Sequence, residues 1–483
     1  MKRCEVVMQI IHSFINGKPA PGNHRRIQKL YPATGEIIAE VECADDAMLD
    51  EAVRAAKQAQ KSWAALTGQD RSRILHKIAA ALHEANEELS RLEVMDVGKL
   101  YSEAVTGDVP SGADAFEYFA NLTATLTGTS HQWADAIGYT RRVPLGVCAG
   151  IGAWNYPAQI ACWKAAPALA TGNAFILKPS EETPLVANRI VEIAHEQGLP
   201  DGLFQIIHGD YEIGSAICAH KGIAKISLTG GIDTGKLIMK QSADSLKKVT
   251  LELGGKAPLI IFDDCDFEIA VQTAMDANFY TAGEVCSNAT RVFIQEGIAP
   301  KIIAEMTKRT QQMRIGDPMS EDVQIGAIIS ASHQQKILDY IAIGKEEGAT
   351  IATGGNKAHP QGFENGFFIE PTIMTNCTDD MRIVREEIFG PVMSVLTFKT
   401  EDEAIARAND TDFGLGAGLI TSDLSRAHRV ADALEAGNIW INTYNLIPAD
   451  WPFGGAKQSG FGRESSQFAI EAYTEIKATY IQL

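Results

Sequence analysis

The stretch VPLGVCAGIGAWNYPAQIACW, residues 143–163, carries no charged side chain and is long enough for a helix to cross a bilayer. Its content decides otherwise. Pro144, Gly146, Gly150, Gly152, Asn155, Pro157 and Gln159 interrupt a helix and bring backbone and amide groups that hydrocarbon would leave unsatisfied. A buried strand, a turn and the start of a helix fit instead. The same rhythm continues downstream, where short apolar runs at 147–153, 174–177, 204–207, 225–228 and 259–262 alternate with helical segments, as in a parallel α/β sheet. After Cys286 a second alternation offers strand candidates at 291–294, 349–352, 393–398 and 438–441. Two α/β domains are implied. Upstream, in 44–92, apolar residues recur at helical spacing among charges (Leu49, Ala52, Val53 and Ala56, then Ile74, Ile78 and Leu82) and predict amphipathic helices. Residues 472–483 read as a β-rich tail after a helix, of the kind that pairs with a sheet edge in its own chain or a neighbour's.

At 483 residues, 45% of them apolar, the chain exceeds one hydrophobic core and can fill two or three. Its 61 acidic and 43 basic side chains give a formal charge of −18, which opposes phosphate backbones and anionic membranes. Nucleic acid and membrane are therefore not expected partners. The same excess either enriches a cationic substrate near the surface or simply keeps the protein dispersed. Eight cysteines, at 4, 43, 148, 162, 218, 265, 286 and 377, form no C-x-x-C pair and no cluster with histidine, which speaks against zinc and disulfide frameworks. Lys2 and Arg3 are followed by Glu5, Gln9 and His12, which interrupt the apolar run of a secretory signal. A cytoplasmic location is expected.

Two stretches offer chemistry. Thr250-Leu251-Glu252-Leu253-Gly254-Gly255-Lys256 supplies a carboxylate and Gly283-Glu284-Val285-Cys286-Ser287-Asn288 a thiol, each beside glycine-loosened backbone. A thiolate attacks a carbonyl and holds it covalently, and a carboxylate can then take a proton from hydrolytic water. Read alone, the pair leaves open the plainer alternative of a small buried cysteine with no catalytic duty. Gly230-Gly231-Ile232-Asp233-Thr234-Gly235-Lys236 follows the strand candidate 225–228 and nearly spells a P-loop. Leu237 stands where Ser or Thr should ligate Mg²⁺, so a nucleotide hydrolase fails at the position that carries its metal chemistry. A strand, a glycine turn and a helix N-terminus still make an anion site for a dinucleotide pyrophosphate, although no G-x-G-x-x-G follows a strand. Lys178-Pro179-Ser180-Glu181 leaves two readings open. Lys178 and Glu181 reach a ribose, the carboxylate accepting its 2′ hydroxyl and repelling a 2′ phosphate, or the segment is a polar loop with Thr183 as N-cap and Pro184 at the first helical position.

With Gly152-Ala153-Trp154-Asn155-Tyr156-Pro157, Glu386-Glu387-Ile388-Phe389-Gly390-Pro391 and Pro452-Phe453-Gly454-Gly455 added to these, the chain resembles the aldehyde dehydrogenase superfamily from about residue 14 onward. It is most similar to the betaine aldehyde dehydrogenase branch, through Tyr139-Thr140-Arg141-Arg142, residues 151–157 and Cys286-Ser287-Asn288-Ala289-Thr290-Arg291. The resemblance implies Cys286 as nucleophile, Glu252 as the base for hydrolysis of the thioester, and Asn155 with the Cys286 backbone N–H as oxyanion hole, where one donor is worth about 3 kcal/mol. It implies NAD as cofactor, with Lys178 and Glu181 on the adenosine ribose, Gly230 and Gly231 by the pyrophosphate, and Trp154, Glu387 and Phe389 around the nicotinamide half. Glu181 favours NAD over NADP. The usual Phe-Thr-Gly-Ser is here Leu228-Thr229-Gly230-Gly231, so one hydroxyl contact is lost. The resemblance also places Lys164 and Glu464 on a proton route, or as a structural ion pair, and Lys457 near a K⁺ site.

The implied substrate is betaine aldehyde, or another trimethylammonio or amino aldehyde, since aromatic faces hold a quaternary ammonium for about 2 kcal/mol when desolvated. Tyr156 and Trp163, two helical turns apart, match the branch's pocket, with Tyr444, Trp451 and Phe453 on the closing loop. Two rivals follow from the same motifs: a CoA-acylating dehydrogenase, which has no need of the base Glu252, and a non-catalytic relative, which has no need of Cys286, Glu252 and Asn155 together. The resemblance implies two Rossmann-like α/β domains plus a small β oligomerisation element: 1–121 with 145–253 for NAD, 254–458 for catalysis, and 122–144 with 459–483 for assembly into a homodimer or homotetramer.

Overall fold

The computed structural model describes residues 9–22 and 25–483, so the expectation for the segment around Lys2 and Arg3 lies outside the described residues. Two sheets dominate. The first has eight strands, in the order Gly460–Phe461, Lys248–Glu252, Lys225–Thr229, Val147–Ile151, Ala174–Lys178, Phe204–Ile206, Ser13–Ile15 and Lys18–Ala20. Its five central strands run parallel, and helices cover its faces. Strands buried on both faces read as continuous apolar runs, which is why 147–151 and 174–177 were legible. The uncharged stretch 143–163 resolves into the strand Val147–Ile151, a turn, and the helix Pro157–Ala170, whose every turn is buried. Among the described residues no helix is long and apolar enough to cross a membrane.

The second sheet has seven strands, in the order Thr350–Thr353, Thr372–Thr375, Val392–Phe398, Arg291–Gln295, Pro258–Ile261, Gly416–Ile420 and Asn438–Ile441. All pairs are parallel except the first, where Thr350–Thr353 runs antiparallel at the edge. Each sheet has its own apolar core. The chain crosses from one core to the other between Glu252, the last residue of its strand in the first sheet, and Pro258, the first residue of its strand in the second.

The helices expected in 44–92 are Asp46–Ala65, Gly68–Glu84 and Asn86–Val97. Asp45 and Thr67 start the first two by accepting from the backbone N–H of Met48 and Asp70, ordinary N-cap chemistry. Thr183 does not act in that way. Its hydroxyl has no hydrogen-bond partner, and the helix Leu185–Glu196 is started instead by Asp96, which accepts from Leu185 N–H (3.3 Å) and Val186 N–H (2.9 Å). The carboxylate competes better than a hydroxyl for those donors because it also meets the helix dipole with a charge.

A third, three-stranded antiparallel sheet joins Ser130–Gln132, Ala136–Pro144 and Thr474–Gln482. The tail thus pairs with its own chain. The structure differs from the expected 459–483 grouping in one respect: Gly460–Phe461 lies antiparallel to Leu251 and Glu252 in the first sheet, because Gly460, at φ +115°, brings its backbone against Leu251 where a Cβ would meet the carbonyl at 2.0 Å.

Candidate active site

Two cavities meet at Cys286. One, of about 240 Å³, is lined by Asn155, Tyr156, Trp163, Lys164, Glu252, Phe453 and Glu464 among others, and the second, of about 230 Å³, by Trp154, Gly230, Gly231, Glu387 and Phe389. Asn155, Thr229, Glu252 and Cys286 line both. The strand ends of the first sheet supply Thr229 and Glu252, and the loop ahead of Arg291–Gln295 in the second supplies Cys286.

That loop is held in an unusual backbone. Thr281 (φ +49°), Ala282 (φ +49°) and Gly283 (φ +76°) are successive left-handed residues, a strained run that persists only where surroundings fix it. They do so here. The Glu103 carboxylate accepts from Thr281 N–H (2.9 Å), Asn155 Nδ2 donates to the Glu284 carbonyl (2.9 Å), and the Asn445 side-chain oxygen accepts from the Ser287 hydroxyl (2.7 Å). Asn155 spends one amide proton in this way and retains a second for the cleft. Gly254 and Gly255 allow the close approach of the other wall: a Cβ on Gly254 would lie 2.0 Å from the Glu387 carboxylate, and one on Gly255 would lie 2.5 Å from the Cys286 carbonyl. Glu387 in turn accepts from Gly255 N–H at 3.0 Å.

Electrostatics disfavour the charged form of both reacting groups at rest. Burial pushes the Cys286 thiol up to about 12, helped by the nearby Glu387 and Glu252 carboxylates. Glu252 is raised well above the usual carboxylate range, first by burial and then by Glu464, against the opposing pull of Lys164 and Arg463. Neither of its carboxyl oxygens has a hydrogen-bond partner. Lys164 and Glu464 lie 2.6 Å apart in the interior, and Ser227 Oγ accepts from Lys164 at 3.0 Å while donating to Glu464 at 2.9 Å.

On the second cavity's rim, Trp154 meets Phe389 edge to face, with centroids 5.2 Å apart. Phe389 is itself left-handed (φ +62°), and its carbonyl is bound to His333 Nε2 at 2.6 Å. Burial brings His333 down to about 4, so its ring is neutral. Gly231 opens the helix Ile232–Ala243 with no side-chain cap, and a Cβ added to it would meet nothing within 4 Å, which leaves the first N–H groups of the helix free for an anion. Lys178 Nζ lies 3.3 Å from Glu181, at the end of the strand two places along the sheet from the one that leads into these glycines.

Of the five aromatic residues expected around a cation, Tyr156, Trp163 and Phe453 line the larger cavity, with Trp163 and Phe453 edge to face at 5.8 Å. The other two do not line that cavity. Tyr444 packs on Trp440 at 4.7 Å and donates its hydroxyl to the Ser287 carbonyl at 2.9 Å, since a buried phenol needs an acceptor. Trp451 turns outward and is 58% exposed. Lys457 donates its ammonium to the Asn409 and Thr411 carbonyls (2.9 and 3.3 Å) and lies 2.6 Å from Glu435. Among lining residues that the motifs did not single out are Asp108, Tyr280, Asn445, His333 and Lys336. Asp108 ends a π-helical turn, Ala104–Asp108, and pairs with the buried Lys99, whose ammonium also lies 3.7 Å from the Tyr156 ring centroid.

Two α/β sheets meeting over a thiol, a carboxyl and an amide define a two-lobed α/β enzyme that works in the cleft between its sheets. The chain belongs to the aldehyde dehydrogenase family, whose sequence profile matches residues 20–479. It is 53% identical over 470 residues to a betaine aldehyde dehydrogenase of Rhizobium etli, covering 97% of this chain and 96% of that one. Its fold matches the crystal structure of a betaine aldehyde dehydrogenase from Staphylococcus aureus in complex with NAD⁺ (TM-score 0.95, 38% identity, 98% of this chain and 95% of that one). It also matches the NAD⁺ complex of an aldehyde dehydrogenase from Bacillus cereus (TM-score 0.96, 40% identity, 98% and 96%).

Proposed function

We propose that this chain oxidises betaine aldehyde to glycine betaine with NAD, through a covalent adduct on Cys286. The observation that carries the reading is the shared wall: Asn155, Glu252 and Cys286 line both cavities, so one thiol faces an aldehyde on one side and a cofactor on the other. The residues present fit NAD. Gly230 and Gly231, with open space over Gly231 and an uncapped helix start, suit a pyrophosphate, Lys178 and Glu181 suit the adenosine ribose, and Trp154, Glu387 and Phe389 suit the nicotinamide half. NAD, when bound, accepts the hydride.

The chain's own groups do the rest. The Cys286 thiol gives its proton to water in the cleft, its sulfur bonds to the aldehyde carbon as the C=O π pair moves to oxygen, and the oxygen that becomes negative is met by the free amide proton of Asn155 and the Cys286 backbone N–H, at about 3 kcal/mol for one such donor. After hydride leaves, the carbon is a thioester. Glu252, as a carboxylate, takes a proton from water, the hydroxide oxygen bonds to the thioester carbon, and the carbon–sulfur bond breaks to free the carboxylic acid and the Cys286 thiolate, so the proton taken from water stays on Glu252. The three aromatic faces of Tyr156, Trp163 and Phe453 would hold the trimethylammonium group. Domains assign as NAD-binding for 1–121 and 145–253, joined by the Gly460–Phe461 strand, catalytic for 254–458, and assembly through 122–144 with the tail 474–483, giving a homodimer or homotetramer. A reducing, cytoplasmic setting suits the seven described cysteines, all free.

The test is NADH formation by the purified enzyme with betaine aldehyde against an uncharged aldehyde of the same size. A preference of about tenfold or more for the cation is expected, equal efficiency removes the cation reading, and Cys286→Ala should abolish NADH production with either substrate. Retained activity in that variant, or a product that forms only with CoA, overturns the mechanism.

A further inference from the structure

Lys225 lies at the centre of the first sheet, wholly buried, with no part in the chemistry above. We propose that it stores the proton released in thioester hydrolysis, received from the cleft along a row of side chains through Glu464, Ser227 and Thr250. The proposal rests on the hydrolytic reading of the site.

The row follows from strand geometry. Residues two apart on a strand share a face, and Lys225–Thr229 runs parallel to Lys248–Glu252 with Ser227 opposite Thr250 and Thr229 opposite Glu252. One face therefore carries Lys225, Ser227, Thr229, Thr250 and Glu252, leading from the core to the cleft. Along it Lys225 Nζ donates to Thr250 Oγ1 (3.0 Å), Thr250 Oγ1 to Ser227 Oγ (3.0 Å), and Ser227 Oγ to Glu464 Oε1 (2.9 Å). Lys164 donates to both Ser227 Oγ and Glu464 Oε1. Each hydroxyl has one proton to give, so a charged Lys225 forces the whole row to point toward Glu464 and keeps that carboxylate an acceptor.

A neutral Lys225 lets the row reverse. Protonated Glu464 gives its proton to Ser227, Ser227 gives its own to Thr250, and Thr250 gives its own to the amine nitrogen. One proton has then moved from Glu464 to Lys225, three O–H or N–H bonds have formed and three have broken, and no electrons have been exchanged. The supply is Glu252, whose partnerless oxygens face the same cleft as the unpartnered Glu464 Oε2. The opposite sequence discharges Lys225 to the cleft after product leaves. The groups that face Lys225 are Cys148 on the adjoining strand, Lys164 on the helix Pro157–Ala170, Lys248, Glu464 and the ring of Tyr473 at 4.7 Å. Burial outweighs them and brings the amine down to about 7, so both its forms are populated near neutral pH.

The experiment follows the acyl adduct on Cys286 directly. Holoenzyme is mixed with a slight deficit of aldehyde, quenched in acid at intervals, and weighed by intact-mass spectrometry, with NADH recorded in parallel. In Thr250→Val, which keeps Lys225 and removes one hydroxyl of the row, and in Lys225→Met, the adduct should form with NADH at the parent rate. It should then decay about tenfold more slowly, without the parent's inflection in decay rate near neutral pH. Thr250→Ser should restore both. Parent-like decay and pH dependence in Thr250→Val overturn the proposal, whereas absence of any adduct or NADH in the parent enzyme would instead remove the reading of the site on which it rests.

Discussion

Glu252 is a carboxyl that the fold buries and leaves without a partner, and that has a thermodynamic signature. Its folded-state pKa lies above the unfolded value, so the native state binds the extra proton, and stability is lost as pH rises from the ordinary glutamate range through the raised one. Glu252→Gln should therefore melt roughly 1–2 °C higher than the parent at about pH 8.5 in calorimetry, while the two converge in acid. The same variant should turn over at least about 100-fold more slowly. A variant that melts lower than the parent at every pH contradicts the assignment of burial as the dominant cause. Cys286 makes a second expectation at this scale. With its thiol pushed up to about 12, alkylation of the cofactor-free enzyme by iodoacetamide, read by mass, should still be accelerating at about pH 10; a plateau below about pH 9 would show a thiolate that the buried carboxylates ought to prevent. Cys286, Glu252 and Asn155 were legible because each sits inside a contiguous motif. Asp108, His333, Lys336 and Asn445 were not, because their place in the cleft is set by packing between segments far apart in sequence, and a lone Asp or His on a helix carries no local mark of it. Tyr444 shows the converse: a correct aromatic in a correct loop, drawn away by the Ser287 carbonyl that its hydroxyl requires.

The helix Leu185–Glu196 begins where the Lys178–Glu181 loop ends, and its start depends on Asp96 rather than on its own Thr183. Asp96→Ala should cost about 1–2 kcal/mol in denaturant unfolding, and because the Asp96 carboxylate is the foremost charge favouring the buried Lys29 ammonium it leaves that group short of a counter-charge. Loosening of the loop should raise KM for NAD several-fold more than it lowers kcat. A change in kcat alone would mean that the loop is held by other contacts. Strands at 372–375 and 416–420 escaped the sequence reading, the second for a reason that the structure supplies. Gly416 and Gly418 break the apolar run, and they are glycines because Trp440 and Tyr444 rings lie 2.9 and 2.6 Å from where a Cβ would stand. Strands made of apolar residues in unbroken runs announced themselves; one hollowed for neighbouring rings did not.

At the scale of the molecule, the two-sheet plan was readable from the alternation of strands and helices alone, whereas the closing of the first sheet by Gly460–Phe461 was not, since a two-residue strand has no periodicity. Among the described residues the tail Thr474–Gln482 is paired on one side only, with Ala136–Pro144, and it exposes Ile476 and Tyr480, with Leu483 exposed just beyond it. Under the proposed assembly, removing 474–483 should leave monomers in light scattering, with an unpaired strand at 136–144 prone to aggregate; an unchanged mass would locate the subunit contact elsewhere. Glu464 carries the longest consequence. It reaches back to Lys164 and Ser227, and the short strand just before it braces Glu252. During synthesis Glu252 and the thiol at 286 therefore leave the ribosome well before Glu464 and the strand that braces the base. A chain halted short of Gly460 would lack both the partner of Lys164 and Ser227 and the strand that braces Glu252, so the cleft is finished only by the last segment to be translated.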